Sequence, residues 1–235
     1  DPGAREADPL AFLGDTDTTE TQPKLSELVP GYRSVGRVGR DLAAAGKTAT
    51  QFNWLQAGAI GAGLVLASSR LDKRAYKFSQ DHANSPWLKG FNKVGNVLPW
   101  LGAGLVTIAA LDGSDPRRSS TGFAALESAG VAFLASTGMK YMAGRARPES
   151  GLGPNSFKPG SSQDSFPSRH AIMAWAVATP FALEYDSPWR YGAAAIASLA
   201  RVTRREHWVS DVVAGSLLGY GIGRIFWESS RAQGK

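Results

Sequence analysis

Apolar residues recur at helical spacing in six blocks of this 235-residue chain, at 54–70, 94–111, 120–144, 168–185, 188–202 and 207–228. The Val/Ile/Thr alternation of strands is rare. The pattern predicts an all-α fold, a single-domain helical bundle of about six core helices. Asp112-Gly113 ends the second block. Pro148 forces the residue before it out of helical angles, so the third block stops ahead of it. A polar loop rich in Gly, Pro and Ser fills 149–166. Ser168 opens the fourth block, and Ser187-Pro188 supplies an N-cap and a proline at the first helical position for the fifth. Residues 32–50 suit one short amphipathic helix. Residues 1–31 are rich in Asp, Thr, Pro and Glu and lack aliphatic periodicity, as in a flexible arm or surface wrap. The expected organisation is an N-terminal arm at 1–50, partly flexible, followed by one domain at 51–230.

Composition sharpens this picture. With 43% hydrophobic residues the chain can bury a sizeable core. It has no cysteine, which excludes disulfides and thiolate metal sites. The net charge of +6 is unevenly spread: residues 1–31 carry two basic and seven acidic side chains, the remainder 24 basic and 13 acidic. A basic body suits an anionic partner such as a phosphate ester or an acidic lipid headgroup. The seven tryptophans read as core or interface packing, so no nucleic-acid partner is expected. A membrane-spanning helix needs roughly 20 mostly apolar residues. Residues 94–111 carry no charge but include Asn96 and Pro99, and 54–69 form a shorter apolar run. The mean hydropathy of −0.18 is low for a chain built of spans. The expectation is a globular or peripheral protein with a membrane surface among its candidate partners. The chain opens at Asp1 without a methionine and shows no signal peptide, so export rests on indirect grounds.

Three clusters carry candidate chemistry. Lys140 and Arg147 lie seven residues apart, two helical turns, so both face one side and can grip one phosphate from two directions. Ser168, Arg169 and His170 fall at a helix start, where unpaired N–H groups favour an anion. Arg201, His207 and Asp211 form the third cluster. His207 and Asp211 are four apart, within reach on one helix face, where a carboxylate on one ring nitrogen would leave the other free to attack. Each cluster taken alone also fits a solvated helix end. Two of only three histidines fall in these clusters, and together they supply cations, an anion-binding helix start, an acid and a nucleophile. By contrast, Asp72-Lys73-Arg74 reads as a solvated helix end, and His82 as a surface histidine.

The order K-x6-R-P, P-S-x-H, R-x5-H-x3-D across 140–211 resembles the type 2 phosphatidic acid phosphatase (PAP2) superfamily, which spans lipid phosphate phosphatases, bacterial class A acid phosphatases and vanadium haloperoxidases. The resemblance implies a metal-independent phosphatase without a cofactor. Lys140, Arg147 and Arg201 would hold phosphate oxygens, with Ser168 and the N–H of Arg169 adding hydrogen bonds. His207, oriented by Asp211, would attack phosphorus to form a phosphohistidine. His170 would protonate the leaving oxygen and then activate water. Arg169 stands where the family usually has Gly, so a bulky cation is expected to flank the pocket.

The preferred substrate is a lipid phosphate or lipid pyrophosphate, at the bacterial periplasm or the periplasmic side of the inner membrane. A soluble-substrate acid phosphatase, a vanadate-dependent haloperoxidase and a non-catalytic phosphate or headgroup binding protein are the alternatives.

Overall fold

The computed structural model describes residues 35–233, so the arm expected at 1–31 lies outside the described residues. The chain runs α1 (Val35–Ala49), α2 (Trp54–Ser69), α3 (Asp72–Asp81), α4 (Pro86–Leu111), α5 (Pro116–Ala143), α6 (Arg169–Glu184), α7 (Tyr191–Thr203) and α8 (Val209–Gln233), with 3-10 turns at Pro148–Ser150 and Pro188–Arg190. Among the described residues β pairing is limited to one bridge between Arg145 and Phe157. The all-α expectation stands.

Local chemistry explains the boundaries, including those misjudged from periodicity alone. Helix α4 begins eight residues before the predicted start, because Ser85-Pro86 sets an N-cap and a first-turn proline. Helix α5 starts at Pro116, where the Asp115 carboxylate accepts hydrogen bonds from the N–H groups of Arg117 and Arg118. It ends at Gly144, held at φ 53°, where a Cβ would lie 1.9 Å from the Lys158 carbonyl oxygen. Only glycine meets both demands. Helix α3, not expected from the sequence, follows α2 after a two-residue break. The predicted fifth helix is preceded by a 3-10 turn and starts at Tyr191.

Helix α8 packs against α6, α5, α2, α1 and α7. Its closest approach is to α6, along Gly215, Gly219 and Gly223. A Cβ on Gly219 would lie 2.2 Å from the Ile172 carbonyl oxygen, and one on Gly223 2.7 Å from that of Ala176. Glycine every fourth residue lets the two helices touch backbone to backbone, which fixes the start of α6 against the start of α8. Alanine dominates the core, with Ala132, Ile172 and Ala176 in one cluster and Ala45 of α1 meeting Ala124, Ile225 and Phe226 in another. Small residues trade apolar area for short interhelical distances.

Candidate active site

The three clusters meet at one end of the bundle, and the loop at 164–168 joins them. Lys140, in the last turn of α5, is buried and donates to the Asp164 backbone carbonyl. Arg147 forms a bidentate pair with the Asp164 carboxylate at 2.8 and 2.9 Å. Arg201, buried at the end of α7, bonds Glu206 at 3.0 Å and Asn96 at 2.9 Å. His207 follows it through a tight turn in which the His207 N–H donates to the Arg201 carbonyl. Ser168 donates its N–H to the Asp211 carbonyl, tying the start of α6 to the start of α8.

Two donors in this region have no partner. The Ser168 hydroxyl and the Arg201 Nε–H are both buried, and neither is hydrogen-bonded. Ser168 occupies the N-cap position of α6 but makes no side-chain cap bond. A buried orphan donor costs about 1–3 kcal/mol, so each of the two would gain from an acceptor supplied by a ligand.

The relation between His207 and Asp211 differs from the expected one. His207 precedes α8 rather than lying on it. Its Nδ1 sits 2.7 Å from the Ser165 carbonyl oxygen and 3.6 Å from the nearer Asp211 oxygen. Nδ1 therefore carries the hydrogen that faces the backbone carbonyl, and Nε2 is the ring nitrogen turned away from it. Asp211, on the first turn of α8, accepts from the Trp208 N–H at 2.9 Å and from the Ser165 hydroxyl at 2.6 Å through one oxygen. The first of these is the carboxylate half of a capping box. Its other oxygen accepts from Arg145 Nη1 at 2.5 Å. Burial opposes ionisation of Asp211, but the nearness of His207, Arg145 and the Ser165 hydroxyl holds its carboxyl below the ordinary range.

The electrostatics of the cations and of His170 follow from crowding. Burial pushes Lys140 down to about 8, Arg147 and Arg169 adding to the effect while Asp164 opposes it. His170, on the first turn of α6, keeps an exposed surface, yet burial of the rest and the cations Arg201 and Lys140 push it down to about 4. Its response to Arg201, His207 and Lys140 together places it among them. Asp164 is held low by Arg147 and Lys140 against the effect of its burial.

Arg169 does not line this pocket with its guanidinium. The side chain turns back along α5, bonding Ser136 and Thr137 at 3.2 Å each and stacking 4.7 Å over Phe133. Ser136 and Thr137 supply acceptors one turn before Lys140, and Phe133 an aromatic face. His82 is exposed and stacks on Phe78, as expected. Asp72 is not a solvated helix end: its side chain is fully buried and bonds Arg145 and Ser210. Asp72 is remote in sequence from the clusters and carried no local signal. Arg145 and Ser165 lie inside the first and second clusters, but their roles depend on partners at Asp72, Ser210 and Asp211 that are distant in the chain.

These contacts bring Lys140, Arg147, Ser168, Arg201 and two histidines into one region of the fold. Residues 121–235 match the family described as the PAP2 superfamily. A lipid A 1-phosphatase of Porphyromonas gingivalis is 36% identical over 97 residues, 38% of this chain. The chain spans only 20% of that relative's length. A crystal structure of a transmembrane PAP2 type phosphatidylglycerolphosphate phosphatase from Bacillus subtilis is similar with a TM-score of 0.44 and 20% identity, over 83% of this chain and 92% of that one.

Proposed function

We propose that the chain is a phosphatase for the phosphate ester or pyrophosphate of a lipid, acting through a phosphohistidine. The observation that carries this reading is the pair of buried orphan donors, Ser168 Oγ and Arg201 Nε, in the region that also holds Lys140, Arg147 and a His207 ring anchored through Nδ1. A tetrahedral phosphate supplies the acceptors these donors lack and the charge that offsets the cations. His207 Nε2 attacks phosphorus as the bond to the leaving oxygen breaks, and that oxygen takes a proton from His170. Water, deprotonated by His170, then attacks the phosphohistidine, releasing phosphate and free His207. With the pocket empty His170 is neutral at pH 7. A bound anionic phosphate reverses the field of Arg201 and Lys140, and a monoanionic ester carries in the proton that His170 passes on.

The apolar exterior supports a lipid substrate. Helix α4 is long and apolar enough to cross a membrane, with 22% of its apolar window buried. Trp100 is 79% exposed, and Leu101, Leu105 and Ile108 on α4 are also exposed, as are Leu55 and Leu66 on α2. Large apolar side chains left bare along two helices suit contact with lipid. The exterior favours the membrane-surface side of the globular-or-peripheral expectation, and the similarity to a lipid A 1-phosphatase supports it. We place the site on the periplasmic side of a bacterial inner membrane.

The test is a phosphate-release screen over lipid phosphates, lipid pyrophosphates and p-nitrophenyl phosphate, run on wild type and His207→Ala. Turnover of dispersed lipid above that of the soluble ester, abolished by His207→Ala, is the expected result. Near-normal turnover in purified His207→Ala protein refutes the mechanism, and preference for the soluble ester refutes the lipid assignment.

A further inference from the structure

We propose that Asp72 is a positioning residue for His207, acting through Arg145 and Asp211; this rests on the reading of His207 as the nucleophile. Asp72 opens α3 and lies 73 residues before Arg145 in the chain. Its side chain is fully buried, as is that of Asp211, and Arg145 is 4% exposed. Asp72 Oδ2 accepts from Arg145 Nη2 at 2.9 Å, and Arg145 Nη1 donates to Asp211 Oδ1 at 2.5 Å. Asp72 also receives the N–H of Ser210 at 2.9 Å and its hydroxyl at 2.7 Å, so it clamps the residue next to Asp211 from the outside. Arg145 completes its set with the Pro154 carbonyl at 2.8 Å and the Ser210 hydroxyl at 2.7 Å.

The chain of contacts continues to the imidazole. Asp211 holds the Ser165 hydroxyl, and the Ser165 carbonyl holds His207 Nδ1. Asp211 therefore aims the ring through Ser165, and its orientation is set by the guanidinium behind it. Three formal charges meet in this row: two carboxylates and one guanidinium. Without Asp72, Arg145 and Asp211 would cancel, and the ring would face a neutral pair. With Asp72 the buried row keeps one net negative charge, which His207 balances when it becomes cationic on bonding to phosphorus.

Stability alone is a poor reason for this arrangement. Buried ion pairs are often matched or surpassed by well-packed apolar residues of similar volume. Three desolvated charges set directly behind the candidate nucleophile are better explained by what they do to the ring. Neither Asp72 nor Arg145 is hydrogen-bonded to Lys140, Arg147, Ser168 or Arg201, and the row meets the oxyanion cradle through a backbone bond, from the Ser168 N–H to the Asp211 carbonyl, so its charged side chains stand apart from the cradle.

The separation defines the experiment. Asp72→Asn keeps the shape and the acceptor for Ser210 while removing the charge. Expected is a fall in kcat of about tenfold or more, the scale of one buried charge acting across a few ångströms of protein. KM and the inhibition constant for tungstate, a phosphate mimic, should stay within about twofold, since the cradle is unaltered. A purely structural role moves the melting temperature and both kinetic constants together. The double variant Asp72→Leu, Arg145→Met removes both partners of the pair and restores one net negative charge on Asp211, so it should recover part of the lost kcat. If Asp72→Asn does not fold, the double variant carries the test, with kcat within about tenfold of wild type expected. Wild-type kcat in Asp72→Asn, or a double variant as inactive as His207→Ala, overturns the proposal. His207→Ala is the reference: turnover in it defeats the underlying mechanism, whereas an inactive His207→Ala beside a fully active Asp72→Asn defeats only the role given to Asp72.

Discussion

Raising the pH should weaken oxyanion binding through one residue, Lys140. Its ammonium is buried at the end of α5, and that burial brings its pKa to about 8 despite the opposing pull of Asp164. Between pH 7 and pH 9 the charged fraction of the free protein falls from about nine-tenths to about one-tenth, a factor of about ten or about 1.4 kcal/mol. A bound dianion stabilises the ammonium, so the complex keeps its proton while the free protein loses it. The dissociation constant for an oxyanion should therefore rise about tenfold over this range. Tungstate is the suitable probe because it stays a dianion throughout, and calorimetric titration reports both affinity and the proton taken up at the higher pH. His170 is already neutral across this window. Lys140→Arg should flatten the curve, since a guanidinium keeps its charge. Asp164→Asn should move the rise to lower pH, because the Asp164 carboxylate supports the ammonium. The same substitution frees Arg147, now held in a bidentate pair, for the ligand. A tungstate affinity that is flat from pH 7 to 9 in wild type, or equally steep in Lys140→Arg, refutes the reasoning.

Ser168→Ala should leave stability unchanged or raise it by up to about 1 kcal/mol, because the buried hydroxyl has no partner to lose, while weakening tungstate binding about five- to tenfold; chemical denaturation and titration read the two effects separately. His170 has a folded pKa of about 4, below its ordinary value, so between about pH 6.5 and 4 the unfolded chain binds a proton that the folded one refuses. Stability should fall as the pH drops through that window, and urea midpoints of His170→Gln should lack this component while keeping the carboxylate-linked loss at lower pH. Gly219→Ala places a methyl 2.2 Å from the Ile172 carbonyl oxygen. Forcing α6 from α8 should cost about 2–3 kcal/mol, seen as a Tm lowered by about 5–10 °C, and an unchanged Tm would contradict the close-packing account.

Much of the architecture and the outline of the site lay in the linear order of residues. Helical periodicity and rare strand alternation were sufficient for the all-α class, because local spacing decides which face of a segment is apolar. The Lys140–Arg147, Ser168–His170 and Arg201–Asp211 clusters were readable because each lies within eleven residues of chain, although Arg147 falls past the end of α5 and a turn separates Arg201 from Asp211. Tertiary structure alone decided how they engage. Whether His207 lies on a helix with Asp211 depends on where α8 starts, and that start is set by a cap at Trp208 rather than by periodicity. The ring consequently bonds a carbonyl contributed from 42 residues away, and Asp211 turns to a guanidinium. The Arg169 side chain is drawn to acceptors on α5, which no property of the 165–170 segment foretells. Asp72 is the clearest case. As the first of three charged residues it has the pattern of a solvated helix end, and only the burial of Arg145 beside the start of α8 makes it a partner. A charge left in water needs none, whereas a charge taken out of water must find its opposite wherever the fold brings one, at any distance along the chain.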